Sequence, residues 1–449
     1  MRELLTSTAE RAVRYLETLD DRGVEPSAEA LAALSRFDEP LPEGPSAAEG
    51  VLALLDEVGS PATVGMAGRR YYGFVIGGSL PATLAANWLA TAWDQNSGLY
   101  KITPATAYLE QVALGWLVDV LGLPEGTGGG FVTGATVANF TALAAARNAV
   151  LARAGWDVEA DGLFGAPPIT VIVSAESHPT LFKSLGMLGL GRNRVVRVRT
   201  DAQGRIRAGK MPPVEGPTIV CTQAGNVNTG AFDPIGEICD AVQGEGAWVH
   251  VDGAFGLWAA ASPEFEPIAA GMEKADSWAT DAHKTLNVPY DSGLAFVRDA
   301  DVLRAAMAIT AEYLPTSVDR NPSDFTPELS RRARGVDVWA ALKQLGRSGV
   351  AELVEGCCAN ARRMASGLDS AGFEILNEVV FNQVLVSFGS PAETRRVIEG
   401  IQADGTSWCG VTEWQDRTAM RISVSSWATT PEDADKSVEA MVRIAQGSP

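Results

Sequence analysis

The sequence predicts an α/β protein: a large domain built on a mostly parallel sheet, followed by a smaller α+β domain. Three observations carry that expectation. First, short and nearly continuous apolar runs at 169–173, 195–198, 218–221 and 293–297 alternate with helical stretches between about 66 and 300. Strands buried on both faces by helices read this way. Second, helical periodicity resumes at Val336, two more strand-like runs follow at 384–388 and 420–424, and a last helix covers about 431–446. Third, residues 1–65 are helical with Pro-rich breaks such as Glu39-Pro40-Leu41-Pro42. They read as an N-terminal arm that packs on another surface, for instance a second subunit. The large domain is expected over 66–335 and the small one over 336–449, with a polar, Pro-containing linker at 310–330.

A chain of 449 residues is long enough for both domains and a sizeable core. Hydrophobic content of 46% and charged content of 20% are ordinary for a soluble protein. The net charge of -19 argues against nucleic acid or an anionic membrane as a partner. No apolar run reaches the ~18 residues of a membrane span. The start, Met1-Arg2-Glu3-Leu4-Leu5-Thr6, lacks the long apolar stretch of a secretion signal. The five cysteines are odd in number and show no metal-ligand spacing. A reduced, cytoplasmic protein without a metal site is expected.

The chemistry is concentrated in one pair. Asp252 lies in His250-Val251-Asp252-Gly253-Ala254, which ends an apolar, strand-like stretch. Lys284 lies in Asp281-Ala282-His283-Lys284-Thr285, after a second such run. An acid at one strand end and a lysine at the next can converge on one small ring. Pyridoxal 5'-phosphate requires this: a lysine amine to join its aldehyde, and a carboxylate to keep its pyridine nitrogen protonated. The bland alternatives are a surface lysine and an Asp-Gly turn cap. Histidine is scarce, yet His250 and His283 stand beside these two residues.

Gly128-Gly129-Gly130-Phe131-Val132-Thr133-Gly134-Ala135-Thr136 reads as a glycine-rich turn feeding a helix. Exposed amides at a helix start, with the Thr136 hydroxyl, form a phosphate cradle. The alternative is a tight connection and nothing more. His178 follows a strand end, where it can stack on a flat ring or simply bond a turn. Thr222 ends another strand and can sit beneath the cofactor.

In this order the motifs resemble the group II pyridoxal-phosphate-dependent decarboxylases, which include aromatic amino-acid, glutamate and histidine decarboxylases. The resemblance runs from about Tyr71 to the C-terminal helix and takes in Pro81-Ala82-Thr83-Leu84 and Ser330-Arg331-Arg332-Ala333-Arg334. It implies fold type I of the pyridoxal-phosphate transferases (aspartate-aminotransferase-like), a homodimer with sites at its interface, and decarboxylation of a small-molecule L-amino acid. By position it implies that Lys284 carries the cofactor as a Schiff base, that Asp252 pairs the pyridine nitrogen, and that Ala254 packs on the ring. His178 matches the stacked histidine. Ala135, Thr136 and His283 match phosphate-binding positions, and Asp281 stands where relatives often have asparagine. Thr222 matches the residue near the cofactor hydroxyl. Arg421 matches an arginine that meets the substrate carboxylate in some relatives; a structural ion pair is the equal alternative. Tyr71, Tyr72, Trp88, Trp93 and Tyr100 fall in the segment that lines the family's pocket and dimer interface, and Tyr72 and Tyr100 are expected to touch substrate.

One departure bears on the product. Aromatic decarboxylases carry a catalytic tyrosine on a mobile loop, and Phe325 stands near its place, with Tyr313 as a substitute. In the family such a change goes with an aldehyde product. An aldehyde synthase or carbon–carbon lyase is therefore the alternative enzyme, and a non-catalytic cofactor-binding protein the alternative from another class.

Overall fold

The computed structural model describes residues 1–309 and 319–447. Contacts divide the chain into two units. The first comprises Met1–Gly78, Asn360–Leu376 and Val384–Pro449; the second comprises Ser79–Ala359 and Asn377–Gln383. This division departs from the sequence boundaries at 65 and 335. The N-terminal segment is stitched to the C-terminal one by backbone bonds, Val24 N–H to Gly405 O at 3.0 Å and Tyr72 N–H to Trp408 O at 2.9 Å. The helix Arg334–Ser370, broken at Gly346 where φ is 61°, contributes to both units.

The second unit is built on a seven-stranded sheet. Its strands are β1 (Gly128–Val132), β2 (Thr170–Ser174), β3 (Val196–Val198), β4 (Thr218–Gln223), β5 (Trp248–Asp252), β6 (Ser277–Asp281) and β7 (Gly293–Val297). Their spatial order is β1-β7-β6-β5-β4-β2-β3. The pairs from β6 through β5, β4 and β2 to β3 are parallel. β7 is the exception, antiparallel to both β1 and β6. Every residue of β4, β5, β6 and β7 is buried, which is why these strands read as near-continuous apolar runs. The helix Ala135–Arg153 packs on the sheet through Ala138, Ala142, Ala145 and Ala146, all buried. Small side chains let its axis lie close to the strands. The C-terminal ends of β2, β4, β5 and β6 share one edge, where open parallel sheets bind ligands.

The glycine-rich run is not mainly a turn. Gly128–Val132 forms β1, and only Thr133 and Gly134 connect it to the helix. The glycines serve close packing: a Cβ on Gly130 would lie 2.2 Å from the Phe325 carbonyl oxygen, and one on Gly129 would lie 2.6 Å from Leu114 Cδ1.

The expected linker is corrected as well. Its described part carries a short 3-10 helix, Pro322–Phe325, with Phe325 buried in the hydrophobic core. The Arg320 guanidinium lies over the Phe325 ring at 4.3 Å. Arg320 and Arg331 both pair with fully buried Glu110, at 3.0 and 2.7 Å. They also donate to the Gly129 and Phe131 carbonyls, both at 2.6 Å. Phe325 is thus a core residue pinned to β1. Tyr313 lies outside the described residues.

The first unit holds a four-stranded sheet of order β10-β11-β9-β8, made of β8 (Glu374–Ile375), β9 (Gln383–Ser387), β10 (Gly410–Trp414) and β11 (Arg417–Ser423). The β10–β11 hairpin turns through Gln415 and Asp416 at φ 46° and 64°. It lacks the glycine that usually announces such a turn.

Gly130→Ala should destabilise the second unit by about 1–3 kcal/mol, the usual cost of forcing extra atoms into a packed interior. The check is the denaturant midpoint of the variant against the wild type; an unchanged midpoint would refute the packing argument.

Candidate active site

Each strand end delivers one side chain to the shared edge. β6 ends at Asp281, and the turn that follows carries His283 and Lys284. Asp281 is the local hub. Its Oδ2 lies 2.9 Å from Lys284 Nζ, its Oδ1 accepts the Ala135 N–H at 2.6 Å, and the same oxygen is 3.6 Å from His283 Nε2. The carboxylate therefore joins the lysine to the start of the helix Ala135–Arg153, whose first amides have no partner within the helix.

His283 is buried, and burial pushes its pKa down against the opposing charge of Asp281. The Ser292 N–H donates to His283 Nδ1 at 3.0 Å, so the neutral ring carries its proton on Nε2. Tyr290 stacks on the same ring, centroids 4.1 Å apart. Gly134 keeps this corner open: a Cβ there would meet His283 Cε1 at 3.2 Å and Asp281 Oδ1 at 3.4 Å.

β5 ends at Asp252, which is buried. Its Oδ2 accepts from Asn139 Nδ2 at 3.2 Å, and its Oδ1 accepts from the Ala254 N–H at 3.3 Å. Burial pushes its pKa up, while the charges of His178 and Lys284 and the hydrogen bonds from Asn139 and Ala254 pull it back. The Ala254 carbonyl accepts the Asp281 N–H at 2.9 Å, which ties the two strand ends together. His178 caps the helix Pro179–Met187: the Thr180 N–H donates to His178 Nδ1 at 3.3 Å, and the Thr180 hydroxyl lies 2.7 Å from the same nitrogen. Thr222 is fully buried, and its hydroxyl donates to the His250 carbonyl at 3.1 Å. That proton is committed to the neighbouring strand. Thr136 follows Ala135 at the helix start, and its carbonyl accepts from Ser184 Oγ at 2.8 Å.

The residues present fit pyridoxal phosphate. An amine, a buried carboxylate, a donor-bearing imidazole and a helix start lie along one sheet edge. The buried polar atoms Ser177 Oγ, Ser292 Oγ and Gln223 Nε2 also lack a partner among the described residues.

The other expected residues are placed differently. Tyr72 is fully buried, with its hydroxyl 3.1 Å from Ser437 Oγ in the first unit, and is a core residue that substrate does not reach. Arg421 is half-buried on β11, near Tyr71. Tyr100 is half-buried, its N–H donating to Asn321 Oδ1 at 3.1 Å. Asn139, Ser277 and Tyr290 were not singled out from sequence. Asn139 offered a signal: it falls one turn beyond Ala135 and Thr136, a polar residue on an otherwise alanine-rich face.

His250 is fully buried, and burial pulls its pKa down to about 3. Its unfolded value is about 6.5. The unfolded chain therefore gains a proton as pH falls below about 6.5, while the folded chain stays neutral there until near 3. The resulting stability is complete above that window and declines as pH falls through it. His250→Gln should remove this loss, so that between pH 7.5 and 5 the variant forfeits roughly 2 kcal/mol less than the wild type. Denaturant unfolding at the two pH values checks it.

Comparison with known proteins identifies the family and the fold. The family model described as the pyridoxal-dependent decarboxylase conserved domain matches residues 69–389. The chain is 26% identical over 463 residues to the aromatic-L-amino-acid decarboxylase of Bacillus atrophaeus, covering 96% of this chain and 93% of that one. It is 29% identical over 351 residues to an acidic amino acid decarboxylase of Bos taurus, covering 74% of this chain and 65% of that one. The crystal structure of Oryza sativa TDC with PLP and tryptamine superposes with a TM-score of 0.91 at 22% identity, covering 99% of this chain and 97% of that one. The fold is the expected fold type I α/β architecture.

Proposed function

The chain belongs to the pyridoxal-dependent decarboxylases, and from that premise we propose that it removes the α-carboxylate of an L-amino acid, with Lys284 as the residue that carries the cofactor. The observation that supports the assignment is the Asp281 bridge, which joins the Lys284 amine to the helix start beside buried Asp252. Bound pyridoxal phosphate supplies an aldehyde for the substrate amine and a protonated ring that withdraws the electrons left when carbon dioxide departs.

The chain's own residues do the rest. Asp252 keeps the ring nitrogen's proton in place by charge. Thr136, at the helix start, and the Nε2–H of His283 are the donors for the phosphate, while the Ala135 N–H beside them is held by Asp281. His178 presents its imidazole to whatever lies over it, and Ala254 leaves room for a flat ring beside Asp252. Thr222, with its proton on the His250 carbonyl, offers only acceptor capacity toward the cofactor hydroxyl. For Arg421 we propose the substrate-carboxylate role that its family position implies.

We propose further that the chain works as a homodimer in the cytoplasm. The helix Arg2–Glu17 buries no side chain of its own and leaves Leu5, Val13 and Leu16 exposed, apolar surface that suits a second subunit. Five buried cysteine side chains suit a reducing compartment.

Mass spectrometry of products from a panel of L-amino acids, in air and without oxygen, tests the activity. The expected result is an amine in both conditions, lost by more than about a thousandfold in Lys284→Ala, as for removal of a covalent-catalysis residue. Aldehyde formed only in air would replace this reading with an aldehyde synthase. No product from any amino acid, with cofactor bound, would replace it with a binding protein. Arg421→Met should raise KM about tenfold or more with a smaller change in kcat, the pattern for lost ground-state binding of a charged group; an unchanged KM returns Arg421 to a structural role.

A further inference from the structure

A chain of hydrogen bonds runs inward from Asp252. Asn139 Nδ2 donates to Asp252 Oδ2 at 3.2 Å, and Asn139 Oδ1 lies 2.7 Å from His250 Nε2. His250 Nδ1 lies 2.9 Å from Ser277 Oγ, which accepts from Trp248 Nε1 at 2.8 Å. Asn139, His250 and Ser277 are all fully buried. They come from the helix Ala135–Arg153, from β5 and from β6. His250 and Asp252 are two residues apart on one strand, so their side chains share a face.

The two ends dictate the order of the protons. An indole N–H can only donate, and an ionised carboxylate can only accept. Asn139 must therefore turn its amide nitrogen toward Asp252 and its oxygen toward His250. His250 Nε2 must then carry the ring proton, and Nδ1 must accept from the Ser277 hydroxyl. The Ser277 oxygen in turn takes the Trp248 proton. Every bond then points the same way, and each of the four contacts is satisfied. The opposite tautomer fails: a bare Nε2 would require the Asn139 amide to flip, setting its oxygen against a carboxylate oxygen 3.2 Å away.

We propose that Asn139, His250 and Ser277 are positioning residues, an oriented relay that keeps Asp252 ionised and fixes which carboxylate edge faces the cofactor's ring nitrogen. The inference rests on the pyridoxal-phosphate reading above. It assigns a purpose to a buried histidine that the reaction does not otherwise use. A neutral imidazole held in one tautomer delivers a fixed dipole without introducing a second charge beside the carboxylate. Asn139 is the converter: it changes an imidazole donor into an amide donor that reaches the next strand end.

The test compares cofactor affinity with that for the 1-deaza analogue, in which CH replaces the ring nitrogen. The wild type should hold pyridoxal phosphate more tightly than the analogue. Asn139→Leu should lose about ten- to a hundredfold in affinity for pyridoxal phosphate, the scale of a hydrogen bond to a charged group, with analogue affinity unchanged. Ser277→Ala, one step further from Asp252 than His250, should narrow the preference less and serves if Asn139→Leu does not fold. Equal losses for both ligands would mean a packing defect and overturn the relay. An undiminished preference in both variants would also overturn it while leaving the cofactor assignment standing. A wild type that binds no pyridoxal phosphate would overturn the functional reading and the relay together. In the holoenzyme labelled with 15N-histidine, which has three histidines to resolve, His250 should appear as the Nε2–H tautomer; an Nδ1–H signal refutes the proton order.

Discussion

Taking a carboxylate out of water costs several kcal/mol unless it finds donors and a counter-charge, and Asp252 is almost wholly withdrawn from solvent. Much of the second unit follows from that requirement. In the role proposed for it, the charge must persist for the ring nitrogen to stay protonated, so neutralising the group by protonation would defeat that role. The fold answers with backbone and side-chain donors on both oxygens, from Ala254 and Asn139. Each arrives from a fixed element: one from the turn after β5, the other from the helix that crosses above it. Neither donor can move without moving a packed layer of the unit.

Asp281 meets a different need with the same side chain. It carries a charge–charge contact to Lys284 and accepts a hydrogen bond from the helix start; its N–H donates to the Ala254 carbonyl on one side, and it pairs with Gly293 on the other. A carboxylate at a helix N-terminus is favoured by about 0.3–1 kcal/mol where exposed, and by more when partly buried. The position therefore suits an aspartate. The two aspartates thus divide the strand edge: one is held by Asn139 and Ala254 in the place proposed for the ring nitrogen, the other joins the lysine and the helix start.

The legible part of this arrangement was the part written locally. Asp252, Lys284, His283 and His178 each end or follow an apolar run, and strand ends can be read from periodicity. The seven-stranded order could not, because it depends on pairings between distant segments; β7 reads like the parallel strands of the sheet, and nothing in Gly293–Val297 announces that it runs the other way. The glycines of β1 misled for a related reason. A glycine needed for close approach looks the same in sequence as one needed for a turn, and only the carbonyl of Phe325 beside Gly130 distinguishes them. Tyr72 looked like a pocket residue because aromatics cluster in that segment; its hydroxyl found Ser437 from 365 positions away.

The antiparallel strand explains how the two halves of the site come into register. β1 and β6 are not adjacent; β7 lies between them and bonds to both. Gly293 pairs with Val132 on one side and with Asp281 on the other. That single residue therefore sets the end of β1, from which the helix Ala135–Arg153 departs, level with the end of β6, from which Lys284 departs. A Cβ on Gly293 would lie 2.4 Å from the Gly134 Cα, so the helix start can come this close only over a glycine. The amide of Ala135 meets the Asp281 carboxylate because β7 holds β1 and β6 at one fixed stagger. The reversed strand is thus the spacer that lets the helix start and a lysine-bearing turn share one corner.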